Sequence, residues 1–189
     1  MRVSGGILKG RTFYPTADNW PTRPTTDFSR TALFNILSNL IDFEETKMLD
    51  LFGGTGAHCY EMISRGCKNA TYVDKFKPAV QFVQQKVIEW KIEDSLKIVH
   101  SDFLIYLNNC QETYTYIFAG PPYELNKLEE IPDRIFEHGI LDIEGILVLE
   151  HNPKFDFQAY PYFWQMRSYG QTHFSFFKME DKLKPNEDE

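Results

Sequence analysis

The sequence is short of cysteine. It holds three in 189 residues, Cys59, Cys67 and Cys110, an odd number with no Cys-x-x-Cys pair. That excludes a disulfide framework and a cysteine-ligated zinc cluster, and it points to a reducing, cytoplasmic setting. No apolar run approaches the roughly 18 residues of a membrane helix, and Met1 to Gly6 lack the apolar stretch of a secretory signal. Internal repeats and low-complexity tracts are absent. The histidines, scattered at His58, His100, His138, His151 and His173, show no metal-ligand spacing, so no metal site is expected. An excess of positive charge is missing too. The formal charge is −7, which excludes a protein that coats nucleic acid non-specifically.

What charge there is lies unevenly. Residues 1–35 hold five basic side chains (Arg2, Lys9, Arg11, Arg23, Arg30) against two acidic ones (Asp18, Asp27). The remaining 154 residues hold 15 basic and 25 acidic ones. An acidic body with a basic arm can touch phosphate through that arm alone; ordinary solvated surface is the competing explanation.

Hydrophobic residues make up 42% and charged residues 25% of the chain, as in a soluble globular protein with one real core and a small appendage. Val3 to Arg11 predicts a β-hairpin turning at Gly5-Gly6 or Lys9-Gly10, and Pro15, Pro21 and Pro24 predict an extended linker. Thr26 or Asp27 can cap a helix whose apolar stripe runs from Phe28 to Leu40. From Lys47 onward strands and helices alternate, with strands at 48–52, 70–73, 96–99, 116–119 and 146–149 and, between the last two, a helix near Leu128 to Glu137. A hairpin of 163–167 with 172–179, turning at Tyr169-Gly170, closes the pattern. The division is an extension and linker over 1–25, a main domain over 26–180 and a flexible tail over 181–189. The alternation predicts an α/β fold: a mostly parallel seven-stranded sheet with helices on both faces and an antiparallel C-terminal hairpin. Ligands then bind at the carboxyl ends of the strands, where the strand order reverses.

The first strand end reads Asp50-Leu51-Phe52-Gly53-Gly54-Thr55-Gly56-Ala57. A phosphate-binding P-loop needs a lysine that is missing here. A dinucleotide fingerprint fits Gly54 and Gly56 but finds Cys59 in its third place. The third reading is an S-adenosylmethionine loop, in which Asp50 meets the cofactor's ammonium. A tight strand-to-helix turn with no ligand is the fourth. Asp74 and Asp102 follow the next two strands. Asp74 suits ribose hydroxyls and Asp102 the adenine amine, although either alone is more often a helix cap.

After the fourth strand comes Gly120-Pro121-Pro122-Tyr123. The prolines stiffen the loop, and Tyr123 offers a flat face for a base. Such a loop suits methylation of an exocyclic amine, whose lone pair is delocalised into its ring. Hydrogen bonds from the amine to nearby acceptors localise that pair and aim it. Glu150-His151 ends the fifth strand and reads as structural support or as part of the cofactor pocket. Cys59 reads as a small buried filler.

Together these motifs resemble the RsmD family, class I S-adenosylmethionine-dependent methyltransferases that modify N2 of a guanine in bacterial 16S rRNA. The resemblance covers nearly the whole chain. It rests on Arg2, Gly5-Gly6, Lys9-Gly10-Arg11, Arg23 to Asp27, Arg30, Leu33-Phe34-Asn35, the 49–57 loop, Ser64-Arg65-Gly66, Pro121-Pro122-Tyr123, Glu150-His151 and Tyr169-Gly170. It implies a Rossmann-like methyltransferase fold with an N-terminal β-hairpin extension. It implies S-adenosylmethionine held by Asp50, Phe52, Gly53, Gly54, Thr55, Gly56, Asp74, Lys75, Asp102 and Phe103. A flipped-out guanine would lie against Gly120, Pro121, Pro122 and Tyr123. Arg2, Lys9, Arg11, Arg23, Thr25 and Arg30 would contact RNA, the partner being 16S rRNA or a small-subunit particle and the enzyme a cytoplasmic monomer.

Two positions depart from the family's pattern. Phe28 stands where the family has an arginine. Gly120 stands where it has an aspartate, so the side-chain acceptor for the target amine is gone. That predicts weakened activity, or a neighbouring carboxylate in its place. An amine methyltransferase acting on adenine N6 or protein glutamine, and an inactive cofactor- or RNA-binding module, remain open alternatives.

Overall fold

Apolar residues run through the central strands with little interruption because both faces of the sheet are covered. The computed structural model describes residues 1–15 and 25–179. Its seven strands are β1 (Lys47–Asp50), β2 (Asn69–Asp74), β3 (Leu96–His100), β4 (Tyr114–Ala119), β5 (Leu141–His151), β6 (Phe163–Tyr169) and β7 (Thr172–Phe177). They form one sheet in the order β3-β2-β1-β4-β5-β7-β6. The pairs from β3 to β5 are parallel, whereas β7 is antiparallel to both β5 and β6. The expected architecture is therefore present.

The helices are α1 (Asp27–Leu37), α2 (Ala57–Ser64), α3 (Lys77–Trp90), α4 (Phe103–Asn109) and α5 (Ile131–Glu137). Alternate strand residues point to opposite faces. Met48, Tyr116, Phe118 and Val148 join Leu33, Phe34, Met62 and Val83 of the first three helices in one core. Leu49, Ile117, Leu147 and Leu149 join Leu107, Ile131 and Ile135 in the other. Removing a fully buried side chain such as Ile117 from such a core costs about 2–5 kcal/mol.

Two elements differ from the sequence reading. The segment expected as one helix from Leu128 to Glu137 starts with a 3-10 turn, Leu128–Glu130, ahead of α5, where Pro132 suits a helix start. The fifth strand begins at Leu141, well before the apolar run at Ile146. A register shift opposite Tyr114 and Tyr116 absorbs the intervening residues, and Asp142, Glu144 and Gly145 hide that stretch from an apolar pattern.

The N-terminal arm is narrower than the expected hairpin. One antiparallel bridge, Arg2 to Thr12, closes it, with hydrogen bonds from Val3 N–H to Arg11 O and from Phe13 N–H to Met1 O. The rest is turns, because the loop is drawn onto α2 instead of extending its ladder. The buried Glu61 carboxylate accepts from the backbone N–H groups of Ser4 and Gly5 and from the Ser4 hydroxyl, and it also pairs with Arg65. The expected linker prolines Pro21 and Pro24, Arg23 and the tail over 181–189 lie outside the described residues.

Candidate active site

The chain order β1-β2-β3 runs outward to one side and then returns to place β4 against the other edge of β1. The carboxyl ends of β1 and β4 diverge there, which opens a crevice. A cavity of about 790 Å³ occupies it. Its walls include Asp50, Phe52, Gly53, Gly54, Thr55, Asp74, Lys75, Asp102 and Phe103 on one side, and Gly120, Pro121, Pro122, Tyr123 and Glu150 on the other. Every cofactor residue of the sequence reading thus reaches the cavity wall except Gly56. Gly56 sits behind the loop at φ 77°, capping α2 in the left-handed conformation, where a glycine carries no Cβ penalty.

Each of the three aspartates has a distinct state. Asp50 closes β1 and is buried. The Cys59 thiol donates to its Oδ2 at 3.5 Å, while its Oδ1 has no hydrogen-bond partner among the described residues. Burial pushes its pKa up to about 7, opposed by the Cys59 contact and the nearby Phe52 backbone N–H and helped by the charges of Asp74 and Glu150. Asp74 shapes the loop: Oδ2 accepts from Gly54 N–H at 2.8 Å and Oδ1 from Phe76 N–H at 2.7 Å. Asp102 caps α4, accepting from Leu104 N–H at 2.9 Å, and Lys75 lies 3.7 Å away. The rings of Phe52 and Phe103 approach to 4.9 Å beside it.

An unsatisfied buried acceptor is costly, and a cation placed against it removes that cost. The orphaned Oδ1 of Asp50 at the wall of a cavity lined by a glycine loop therefore fits the ammonium of S-adenosylmethionine. Asp74 keeps an acceptor lone pair on each oxygen for hydroxyls.

On the other side, the Tyr123 hydroxyl donates to Oε1 of Glu150 at 3.0 Å and the Thr25 hydroxyl donates to Oε2 at 2.5 Å. Burial raises the Glu150 pKa, and these two hydrogen bonds oppose the rise. Beneath them His58 stacks on Phe118 at 3.9 Å with the rings 3° from parallel. Burial and the nearby Arg30 charge lower the His58 pKa to about 3, so it is neutral.

The residues expected to meet RNA separate. Arg2, Lys9 and Arg11 are exposed on the arm, and Arg11 lies over the Trp90 ring. Thr25 and Arg30 instead line the cavity. Arg30 is buried; it donates to Arg2 O at 2.6 Å and to Asp27 at 2.8 Å, which ties the arm to α1. The reading from sequence left Leu33, His58 and Phe118 out of the cavity wall. Nothing in their residue types separates them from core. Glu150 was visible as an acid at a strand end, the same signal that marked Asp50.

The family model described as conserved hypothetical protein 95 matches residues 1–178. The chain belongs to that family. It is the RsmD family to which the motifs point, one of class I S-adenosylmethionine-dependent methyltransferases, and S-adenosylmethionine is the cofactor. Over 155 residues, 80% of this chain and 83% of its relative, this RsmD-family member is 32% identical to YlbH of Bacillus subtilis (strain 168). Over 166 residues it is 28% identical to the ribosomal RNA small subunit methyltransferase D of Escherichia coli (strain K12), covering 88% of this chain and 82% of that one. The solved structure of yhhF from Escherichia coli superposes with a TM-score of 0.80 at 25% identity, over 94% of this chain and 96% of that one. A 16S rRNA N2 G1207 methyltransferase from T. Thermophilus, solved with AdoMet and guanosine, shares the fold at a TM-score of 0.66 and 16% identity, over 84% of this chain and 44% of that one.

Proposed function

We propose that this protein methylates N2 of a guanine in the 16S rRNA of the small ribosomal subunit. The observation that carries the proposal is the position of Pro121-Pro122-Tyr123 and Glu150 on one wall of the cavity whose other wall is the cofactor loop. When bound, S-adenosylmethionine supplies an electrophilic methyl group, so an amine placed in that cavity needs only alignment and a free lone pair.

The chain's own residues do the aligning. Asp50 and Asp74 fix the cofactor end, as their acceptors allow. The proline pair resists movement of the opposite loop. Tyr123 is anchored through its hydroxyl to Glu150, which holds its ring in place for stacking on an extruded base. The exposed basic residues of the arm, Arg2, Lys9 and Arg11, suit the phosphates flanking that base. The rRNA substrate also agrees with the names of the relatives.

The test is transfer of radiolabelled methyl from S-adenosylmethionine to undermethylated small subunits, with the modified nucleotide mapped. One labelled guanine N2 is expected. Label on an adenine, or on ribosomal protein, overturns the substrate assignment.

A further inference from the structure

Gly120 leaves the loop without a side-chain acceptor, and a carboxylate from the neighbouring strand reaches the same space. Ala119 of β4 pairs with Leu149 of β5, so the next residues along, Gly120 just past the end of β4 and Glu150 still within β5 opposite Phe174 of β7, lie side by side. A Cβ built on Gly120 stands 3.9 Å from Oε2 of Glu150. Glu150 is 5% exposed and lines the cavity together with Asp50, Pro121 and Tyr123. Thr25 and Tyr123 each occupy one acceptor position, one on each oxygen. A carboxylate oxygen has two such positions, so Glu150 is held fixed with one position on each oxygen left open among the described residues.

We propose that Glu150 is the catalytic acceptor for the target amine, in the role that an acid at position 120 would otherwise fill. The inference rests on reading the site as that of an amine methyltransferase. In the transfer the amine nitrogen's lone pair forms the new N–C bond while the methyl–sulfur bonding pair returns to sulfur. The surplus amine proton passes to Glu150 and from there to water. Before that, an N–H donated to Glu150 withdraws the lone pair from the ring and points it across the cavity.

An aspartate at 120 would bring a second carboxylate beside Glu150, and two like charges that close disfavour each other's ionisation. Its Cβ would also stand 3.0 Å from Cε1 of Phe118, a ring already stacked on His58.

The test uses full-length Glu150→Gln, Gly120→Asp and the double variant, assayed for kcat and KM on undermethylated small subunits and for S-adenosylhomocysteine binding by calorimetry. Glu150→Gln should lower kcat by on the order of a hundredfold with cofactor binding unchanged. Gly120→Asp alone should also slow transfer. The double variant should recover about tenfold over Glu150→Gln, because one acid again faces the amine; a merely structural role for Glu150 gives no such rescue. Wild-type rates in Glu150→Gln, or a double variant no better than it, overturn the inference. Should Glu150→Gln fail to fold, Gly120→Asp decides by itself: a faster enzyme overturns the inference. A wild-type chain that binds S-adenosylhomocysteine yet transfers no methyl group also overturns it. One that does not bind S-adenosylhomocysteine overturns the reading of the site.

Discussion

Asp74 holds Gly54 by a 2.8 Å hydrogen bond from the Gly54 backbone N–H to Oδ2, across 20 residues of chain. One strand end thus fixes the loop of its neighbour. The second oxygen of Asp74 accepts from Phe76 N–H, so the carboxylate bridges two loops before any ligand arrives. Asparagine keeps a single carbonyl acceptor and points an N–H₂ at one of the two donors. Leaving such a donor unsatisfied costs about 1–3 kcal/mol. Asp74→Asn should therefore weaken S-adenosylhomocysteine binding by about tenfold or more, as read by calorimetry. An unchanged affinity would show that the loop reaches its binding shape without this bridge.

Asp50 makes cofactor binding depend on pH. Its pKa rises from 3.8 to about 7 in the folded chain, chiefly through burial, with Cys59 and the Phe52 backbone N–H opposing the rise and the charges of Asp74 and Glu150 adding to it. The folded state thus holds a proton that the unfolded state releases. The stability this contributes is fully present below pH 4 and is lost as pH rises toward 7. A bound ammonium needs the ionised carboxylate, so affinity should run the other way: it climbs through the same window and levels off above pH 7. Each unit below that plateau should weaken S-adenosylhomocysteine binding by up to about tenfold. Titrations at pH 6 and pH 8, repeated in buffers of different ionisation enthalpy, should show proton release at the lower pH. Asp50→Asn should abolish that release, and a proton release that survives the substitution would assign it to another group.

The alternation of strand and helix, and the strand ends that carry the site, were legible because periodicity and glycine placement report local structure. Asp50, Gly53 and Asp74 occupy the cavity wall that their spacing suggested. Partnerships made in three dimensions were not legible. Arg30 looks like an arm residue free for RNA, yet its guanidinium is buried against Arg2 and Asp27. Glu61 carries no motif at all, and it gathers Ser4, Gly5 and Arg65 around one buried carboxylate. Each of these depends on which helix meets the arm, a long-range fact that no window of sequence contains.

The arm's attachment to α2 turns on Gly6. Its φ is +73°, and a Cβ there would fall 1.6 Å from the carbonyl oxygen of Ser64. That same oxygen accepts from Ile7 N–H at 2.7 Å, and the Ser64 hydroxyl meets Gly5 O and Leu8 N–H. Backbone cannot yield as a flexible side chain can, so Gly6→Ala must lift the arm from the helix. A loss of about 3 kcal/mol in stability is expected from a strained backbone site of this kind. Denaturant unfolding measures it, and limited proteolysis should cut within residues 1–15 before the rest. Native stability with an intact, protected arm would mean that the loop has another way of seating.

Phe28→Arg tests whether the proposed RNA path runs over the start of α1. Phe28 lies in the first turn of α1 with 73% of its surface exposed, and its ring stands edge-on to Tyr169 at 5.9 Å. Asp27 beside it is already engaged with Arg30, and Thr25 three residues earlier bonds Glu150 at the cavity wall. A cation at position 28 would therefore stand close to the site's rim. Phe28→Arg places that cation in the first turn of a helix, where the dipole opposes it by about 0.3–1 kcal/mol, a small loss in a fold of this size. In return it adds one cation for a phosphate. The slope of log affinity against log salt for single-stranded 16S rRNA fragments should steepen by about 0.7, with tighter binding at low salt and S-adenosylhomocysteine affinity unchanged. A slope identical to that of the wild type would place residue 28 away from the RNA path and leave the aromatic pair with Tyr169 as a packing feature of the outer surface.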